Sequence, residues 1–321
     1  MTKRLQDAST KSFKECAEAY IKSHSAGWRN AKHAAQWTST LEMYVYPVFG
    51  FLPVGDIDTK LVMNVLDPIW QAKTETASRV RGRIEAILDW ASVRGHREGE
   101  NPARWKGHLA NLLPPKSKVS KVKHHAALPY GGVGSFMVQL AKRDSVSARG
   151  LEFQILTAAR TGEVMGATWS EIDLDKAIWT IPADRMKADK EHRVPLPEKA
   201  VVILSEMLDV AVSEFVFPGA QPNKPLSNMA FLQLLKRMDR GDLTAHGFRS
   251  TFRDWAAECT NYPNDAAEMA LAHAVGDKVE AAYRRGDLFD KRRQMMDAWA
   301  DYCGTVDEAG ADKVVPLRKD I

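Results

Sequence analysis

Ile172-Asp173-Leu174-Asp175-Lys176-Ala177-Ile178-Trp179-Thr180-Ile181, followed after a polar stretch by His192-Arg193-Val194-Pro195-Leu196, is where the chain leaves helical patterning. The runs 172–174, 177–181 and 192–196 are short and favour β structure. Asp175-Lys176 and the polar residues 184–191 separate them, which predicts a three-stranded antiparallel meander. Outward from it, the periodicity is helical. Upstream, Phe136, Val138 and Leu140 open one helical region, and Leu151 to Ala159 is another apolar stretch. Downstream, helices are expected at 198–210, 227–238, 248–259 (Phe252, Trp255, Ala256 and Cys259 on one face) and 265–272. An apolar stripe through Leu288, Phe289, Met295, Met296, Trp299 and Tyr302 adds one more at 288–303. The expected class is mainly α with one small antiparallel three-stranded sheet.

The first hundred residues carry no strand signal. Ser12-Phe13-Lys14-Glu15 has the form of a capping box, and Phe13, Ala17, Tyr20 and Ile21 follow at helical spacing. Trp37, Leu41, Tyr44, Val45 and Val48 form a second stripe that ends at Gly50 and Pro53. Leu61, Val62, Val65, Leu66 and Ile69 form a third. Ala77, Val80, Ile84, Ile87, Leu88 and Ala91 form a fourth, closed by Gly95 and Asn101-Pro102. Four such helices suggest a bundle around one shared core. The division expected is an N-terminal extension at 1–11, a helical domain at 12–110, a linker at 111–126, an α+β domain at 127–303 and a tail at 304–321. The linker assignment rests on Pro114-Pro115 and on Lys116, Lys118, Lys121, Lys123, His124 and His125, which follow without one acidic residue. Such a segment predicts extended chain that lies along a polyanion.

Charge points the same way. Residues 1–126 hold 20 Lys/Arg against 12 Asp/Glu, a balance of +8, while residues 127–321 hold 25 against 29, a balance of −4. A basic first part suits a partner with a phosphate backbone. At 321 residues, with 45% hydrophobic and 27% charged residues, the composition excludes disordered, collagen-like and disulfide-scaffold classes. No apolar run approaches the roughly 18 residues that would span a bilayer. The start, Met1 to Asp7, lacks an apolar signal core, so a cytoplasmic protein is expected. Cys16, Cys259 and Cys303 lie far apart, which predicts reduced thiols and no zinc site. A phosphate-binding Gly-rich loop, a dinucleotide fingerprint and a nucleophile elbow are all missing.

What carries chemistry is a set of spaced polar signatures. Thr157-Ala158-Ala159-Arg160-Thr161-Gly162-Glu163-Val164 sets an arginine at the end of an apolar helix. Ala245-His246-Gly247-Phe248-Arg249 opens an amphipathic helix, and Leu271-Ala272-His273 and Ala282-Tyr283-Arg284 follow. Taken singly, Arg160 has the bland reading of a capping residue, and Tyr283 has six other tyrosines as competitors. In this order the set resembles the tyrosine recombinase (phage integrase) family, over residues 12 to 303. Asn30-Ala31-Lys32-His33 and Asn101-Pro102-Ala103 are similar to the integrases of satellite phages and genomic islands.

The resemblance implies a core-type DNA-binding bundle and a catalytic domain that cleaves and rejoins DNA without metal, cofactor or ATP. It implies Arg160 and Arg249 as braces for the scissile phosphate, a task for planar, always-charged guanidiniums. Tyr283 is implied as nucleophile, with Lys187 as proton donor to the leaving 5′-oxygen (Lys190 of the same loop is the alternative). His246 would assist proton transfer, His273 would bond the phosphate, and Glu163 would support the first arginine and the histidine. The partners implied are double-stranded core-type attachment sites, three sister protomers in a tetramer on DNA that is monomeric when free, and an accessory DNA-bending or directionality protein. Two departures stand out. Leu271-Ala272-His273 replaces the common Leu-Gly-His, a mild change, and only about a dozen residues precede the first helix where relatives carry an arm-binding domain. The alternatives are a type IB topoisomerase and a DNA-binding island remnant that has lost catalysis.

Overall fold

The computed structural model describes residues 11–28, 31–120, 126–273 and 286–306. The chain divides into two compact units, residues 1–123 and 124–321. Among the described residues no helix is long and apolar enough to cross a membrane. Tyr283, Lys121, Lys123 and most of the expected tail lie outside the described residues.

The first unit is a helical bundle. Helix α1 (Phe13–His24) starts at the expected capping box: the Glu15 amide donates to Ser12 Oγ at 3.3 Å and the Ser12 amide to Glu15 Oε2 at 2.8 Å. Helix α2 (Ala31–Thr40) runs through a wide π turn, Leu41–Val45, into the short α3 (Tyr46–Phe49). Pro47 has no amide to return to the carbonyl four residues back, and the Tyr46 amide reaches Leu41 instead. The register therefore shifts by one residue. Val48, expected on the buried stripe, faces solvent, and Phe49 takes its place in the core.

Helix α4 (Thr59–Trp70) is capped by Asp58, whose Oδ1 accepts from the Leu61 amide at 2.8 Å. Helix α5 (Thr74–Val93) buries all six residues of its expected stripe. It also buries Arg83, which donates to the Gln36 carbonyl at 2.8 Å, to Thr40 Oγ1, and stacks 5.4 Å from the Trp37 ring. The start of the linker is not extended chain. Leu113 is buried, Trp70 Nε1 donates to the Pro114 carbonyl at 3.0 Å, and Lys116–Val119 forms one helical turn, α6. Val119 packs on the bundle core and Lys116 pairs with Glu75, so these two side chains anchor a segment whose charge alone suggested extended chain along a polyanion.

The second unit surrounds one long apolar core. Helix α7 (Val133–Ala141) leads to α8 (Val146–Thr157), which is buried along most of its length. After the short α9 (Thr161–Met165) come the strands β1 (Ile172–Asp173), β2 (Ile178–Ile181) and β3 (His192–Pro195), antiparallel in the order β1-β2-β3. Ile172 pairs with Trp179, and Ile181 with His192. Ala177, expected to begin a strand, is a turn residue with φ 50°. Helices α10 (Glu198–Asp209), α11 (Ala230–Arg237), α12 (Gly247–Cys259), α13 (Asn264–Ala270) and α14 (Phe289–Gly304) follow among the described residues. Phe252, Trp255 and Ala256 of α12 are buried as expected, but Cys259, in the last turn, is exposed. Phe252 and Trp255 meet Trp299 of α14 at centroid distances of 5.5 and 5.0 Å, and Trp299 Nε1 donates to the Ile155 carbonyl of α8 at 2.8 Å.

Candidate active site

Three chain turns bring the arginines together. Helix α8 ends at Ala158, whose φ of 49° turns the chain sharply, so that Arg160 stands at the N-cap of α9. There Glu163 grips it twice: the Arg160 amide donates to Oε2 at 2.8 Å and Nη1 to Oε1 at 2.7 Å. Glu163 is only 5% exposed, so the charge of this carboxylate is presented to the guanidinium rather than to water. Arg160 Nη2 donates to the carbonyls of Ala272 at 2.8 Å and Leu271 at 3.3 Å, just past α13.

Arg249 lies one turn into α12 and is 5% exposed. Its Nη1 donates to the Ala158 carbonyl and its Nη2 to the Leu271 carbonyl, both at 2.5 Å. The Leu271 carbonyl thus accepts from both guanidiniums. Burial, with the charge of Arg160 beside it, pushes Arg249 down to about 10. At neutral pH it stays charged.

His273 completes this cluster. Its Nδ1 lies 2.8 Å from Glu268 Oε2, and its Nε2 lies 3.2 Å from Arg249 Nη2. The carboxylate assigns the Nδ1–H tautomer, with Nε2 turned to the arginine. Burial opposes ionisation of Glu268, but hydrogen bonds from His273 and Arg253 hold its carboxyl below the ordinary value. Ala272, between the two, has φ 49°. This is the left-handed region, so alanine in place of glycine is more than a mild change: it strains the backbone at the residue whose carbonyl holds Arg160.

His246 is the N-cap of α12, one turn from Arg249, and is exposed. Gly247 beside it is closely packed: a Cβ there would collide with the Ala126 carbonyl oxygen unless the backbone shifts. Lys187 is exposed in the β2–β3 connection, as is Lys190. The base of that connection is rooted on the site. Arg185 Nη2 donates to the Glu163 carbonyl at 2.6 Å, Arg185 pairs with Glu171, and Met186 is buried. Of the expected set, hydrogen bonds join Arg160, Glu163, Arg249 and His273. Among the described residues no such bond ties Lys187 to them, and Tyr283 lies outside those residues. Lys116 and Lys118 sit on α6 of the first unit, Lys116 in its pair with Glu75.

Two residues at the site have no motif. Glu268, which orients His273, is five residues upstream of it, a spacing that suggests nothing in advance. His192 was legible only as a strand residue. Burial, then the charges of Arg292, Arg160 and Arg249, push it down to about 4 against the opposing pull of the Ala270 backbone, so it is neutral.

Known proteins share this architecture. Residues 13–108 match the phage integrase central domain and residues 136–287 the phage integrase family. The prophage integrase IntZ of Escherichia coli K12 is 33% identical over 309 residues, covering 95% of this chain and 74% of that protein. The integrase of enterobacteria phage P4 is 31% identical over 294 residues, 84% of this chain and 64% of its own length. Lambda integrase residues 75–356, solved as a dimer on a core site, superposes with a TM-score of 0.65 at 17% identity, over 84% of this chain and 98% of that one. The Tn1549 transposon integrase, solved with circular intermediate DNA, gives 0.61 at 14% identity over 88% and 98%. These two share the fold. Family match, curated relatives and the clustered arginines agree: the chain belongs to the phage integrase family of tyrosine recombinases.

Proposed function

We propose that this chain is a site-specific DNA recombinase that breaks and rejoins strands through a 3′-phosphotyrosyl intermediate, to integrate or excise a mobile element. The observation that carries this is the convergence of Arg160 and Arg249 on one carbonyl, each fixed by backbone acceptors before any substrate arrives. Each guanidinium has five donors. Donors held in place around a scissile phosphate stabilise the charge that develops on its non-bridging oxygens, without reorganisation at the moment of reaction.

In this reading the Tyr283 oxygen attacks phosphorus and the P–O5′ bond breaks. The 5′-oxygen takes a proton from Lys187, two residues beyond Arg185 in the same loop. His246 assists proton transfer to and from the tyrosine, and His273, oriented by Glu268, bonds the phosphate. The ester keeps the bond energy, so a 5′-hydroxyl from the partner duplex reverses the step and joins the exchanged strands. Residues 12–110 would form the bundle that binds core-type DNA, with Lys116, Lys118, Lys121 and Lys123 near the backbone. On DNA four protomers would assemble from free monomers, with residues 306–321 docking on a neighbour and an accessory DNA-bending or directionality protein alongside. The protein would act in the cytoplasm, at the nucleoid.

The test begins by sequencing the ends of the chromosomal element that encodes the gene, which supplies the attachment duplex. Two differently labelled duplexes are then incubated with the protein in the presence of chelator. Recombinant strands are expected. Relaxation of supercoiled DNA without any exchange would point to a topoisomerase, and binding without either to a lapsed enzyme.

A further inference from the structure

We propose that Arg292, Asp287 and Arg193 form a clasp that positions the segment bearing Tyr283 against the arginine pair; the inference rests on the reading of Tyr283 as nucleophile. Arg292 is 1% exposed, the most buried charged residue in its helix. Its planar fork makes three bonds with two elements. Nε donates to the Asp287 carbonyl at 2.8 Å, Nη2 to Asp287 Oδ2 at 3.0 Å, and Nη1 to the Arg193 carbonyl of β3 at 2.7 Å. Asp287 Oδ2 also accepts from Arg193 Nη2 at 2.8 Å. The Phe289 ring lies under both guanidiniums, 4.7 Å from that of Arg193 and 5.4 Å from that of Arg292. Between Asp287 and Phe289, Leu288 has φ 52°. A left-handed leucine persists only where its surroundings over-determine it.

Only the Arg292 side of this cluster is buried, Asp287 and Arg193 being partly exposed, so the ion pairs are a poor source of stability. What they supply here is geometry. Arg292 fixes Asp287, four residues beyond Tyr283 in the chain. A four-residue tether reaches only about 14 Å at full extension. The other end of the arrangement belongs to the same hairpin: Arg185, in the β2–β3 connection, donates to the Glu163 carbonyl at 2.6 Å, and the Glu163 carboxylate holds Arg160. The β2–β3 hairpin therefore refers residue 287 and the phosphate brace to a common frame. Attack on phosphorus depends steeply on such placement.

The test measures single-turnover adduct formation on a nicked attachment duplex at saturating protein, with duplex affinity measured alongside. Asp287→Asn keeps the shape and an acceptor oxygen but removes the charge, and it should slow adduct formation about tenfold with affinity unchanged. Asp287→Glu should recover part of the rate. Arg193→Gln combined with Asp287→Asn should be no slower than the slower single variant, because the two act as one unit. A wild-type rate for Asp287→Asn, a rate loss matched by an equal loss of affinity, or multiplicative losses in the double variant would overturn the clasp. Tyr283→Phe runs in parallel. Adducts in that variant would overturn the nucleophile itself, whereas a dead Tyr283→Phe beside a full-rate Asp287→Asn removes the clasp alone.

Discussion

Arg160 and Arg249 share an acceptor because the Leu271 carbonyl sits at the end of α13, where helix carbonyls lack internal partners. The arginines satisfy that end, and the helix end in turn sets their separation. Replacing either should remove a transition-state donor without removing the many other cations that bind the backbone. Arg160→Ala or Arg249→Ala should therefore slow cleavage at least about 100-fold, with much smaller change in DNA affinity. Titration of both rate and affinity checks this, and parallel losses would mean an ordinary phosphate contact. His192 bears on stability instead. Its native pKa, about 4, lies below the ordinary 6.5. Above pH 6.5 neither state is protonated. Between 6.5 and 4 the unfolded chain takes a proton that the folded one refuses, so stability falls as pH falls, by up to about 3 kcal/mol, and the loss levels off below pH 4. Urea midpoints at pH 7 and pH 4.5 should differ less for His192→Asn than for the parent; equal differences would mean that His192 is not held neutral.

At the level of elements, the sequence periodicity located nearly every helix, and the reasons for its misses are local. A single missing amide at Pro47 opened the π turn that exchanged Val48 for Phe49 in the core. Two apolar side chains, Leu113 and Val119, folded the start of the linker onto the bundle against the expectation from its charge. Gly247 shows how closely α12 is set: the Ala126 carbonyl that a Cβ would strike also accepts from the Thr244 amide and hydroxyl, both at 3.3 Å. Gly247→Ala should cost about 1–3 kcal/mol of stability, read as a lower urea midpoint; an unchanged midpoint would show that residues 126–127 yield freely. The α6 segment makes a separate prediction. Neutralising Lys116, Lys118, Lys121 and Lys123 should make the slope of log affinity against log salt shallower, by about 0.9 for each phosphate that these lysines neutralise in the parent. Because Lys116 already has Glu75, its single replacement should change the slope least. An unaltered slope in the fourfold variant would place the +8 charge of residues 1–126 at work elsewhere in the bundle.

Across the molecule, the helices were legible because burial demands their spacing; of the spaced polar residues, the structure joins Arg160, Arg249 and His273, while Tyr283 lies outside the described residues. Glu268, His192 and Arg292 were not legible. Each acts on a partner brought near only by the completed fold, and Arg292 stood within a stripe read for its apolar members alone. The two units differ in charge, a basic bundle and an acidic unit that carries the arginine pair. The most direct test of the account is the identity of the covalent bond. The protein is trapped on a nicked attachment duplex with chelator present, digested with protease, and the DNA-linked peptide is read by mass spectrometry. A peptide containing Tyr283, joined to a 3′-phosphate, is expected. A link through Tyr262 or Tyr302, a 5′-linkage, or no adduct without divalent metal would contradict this expectation.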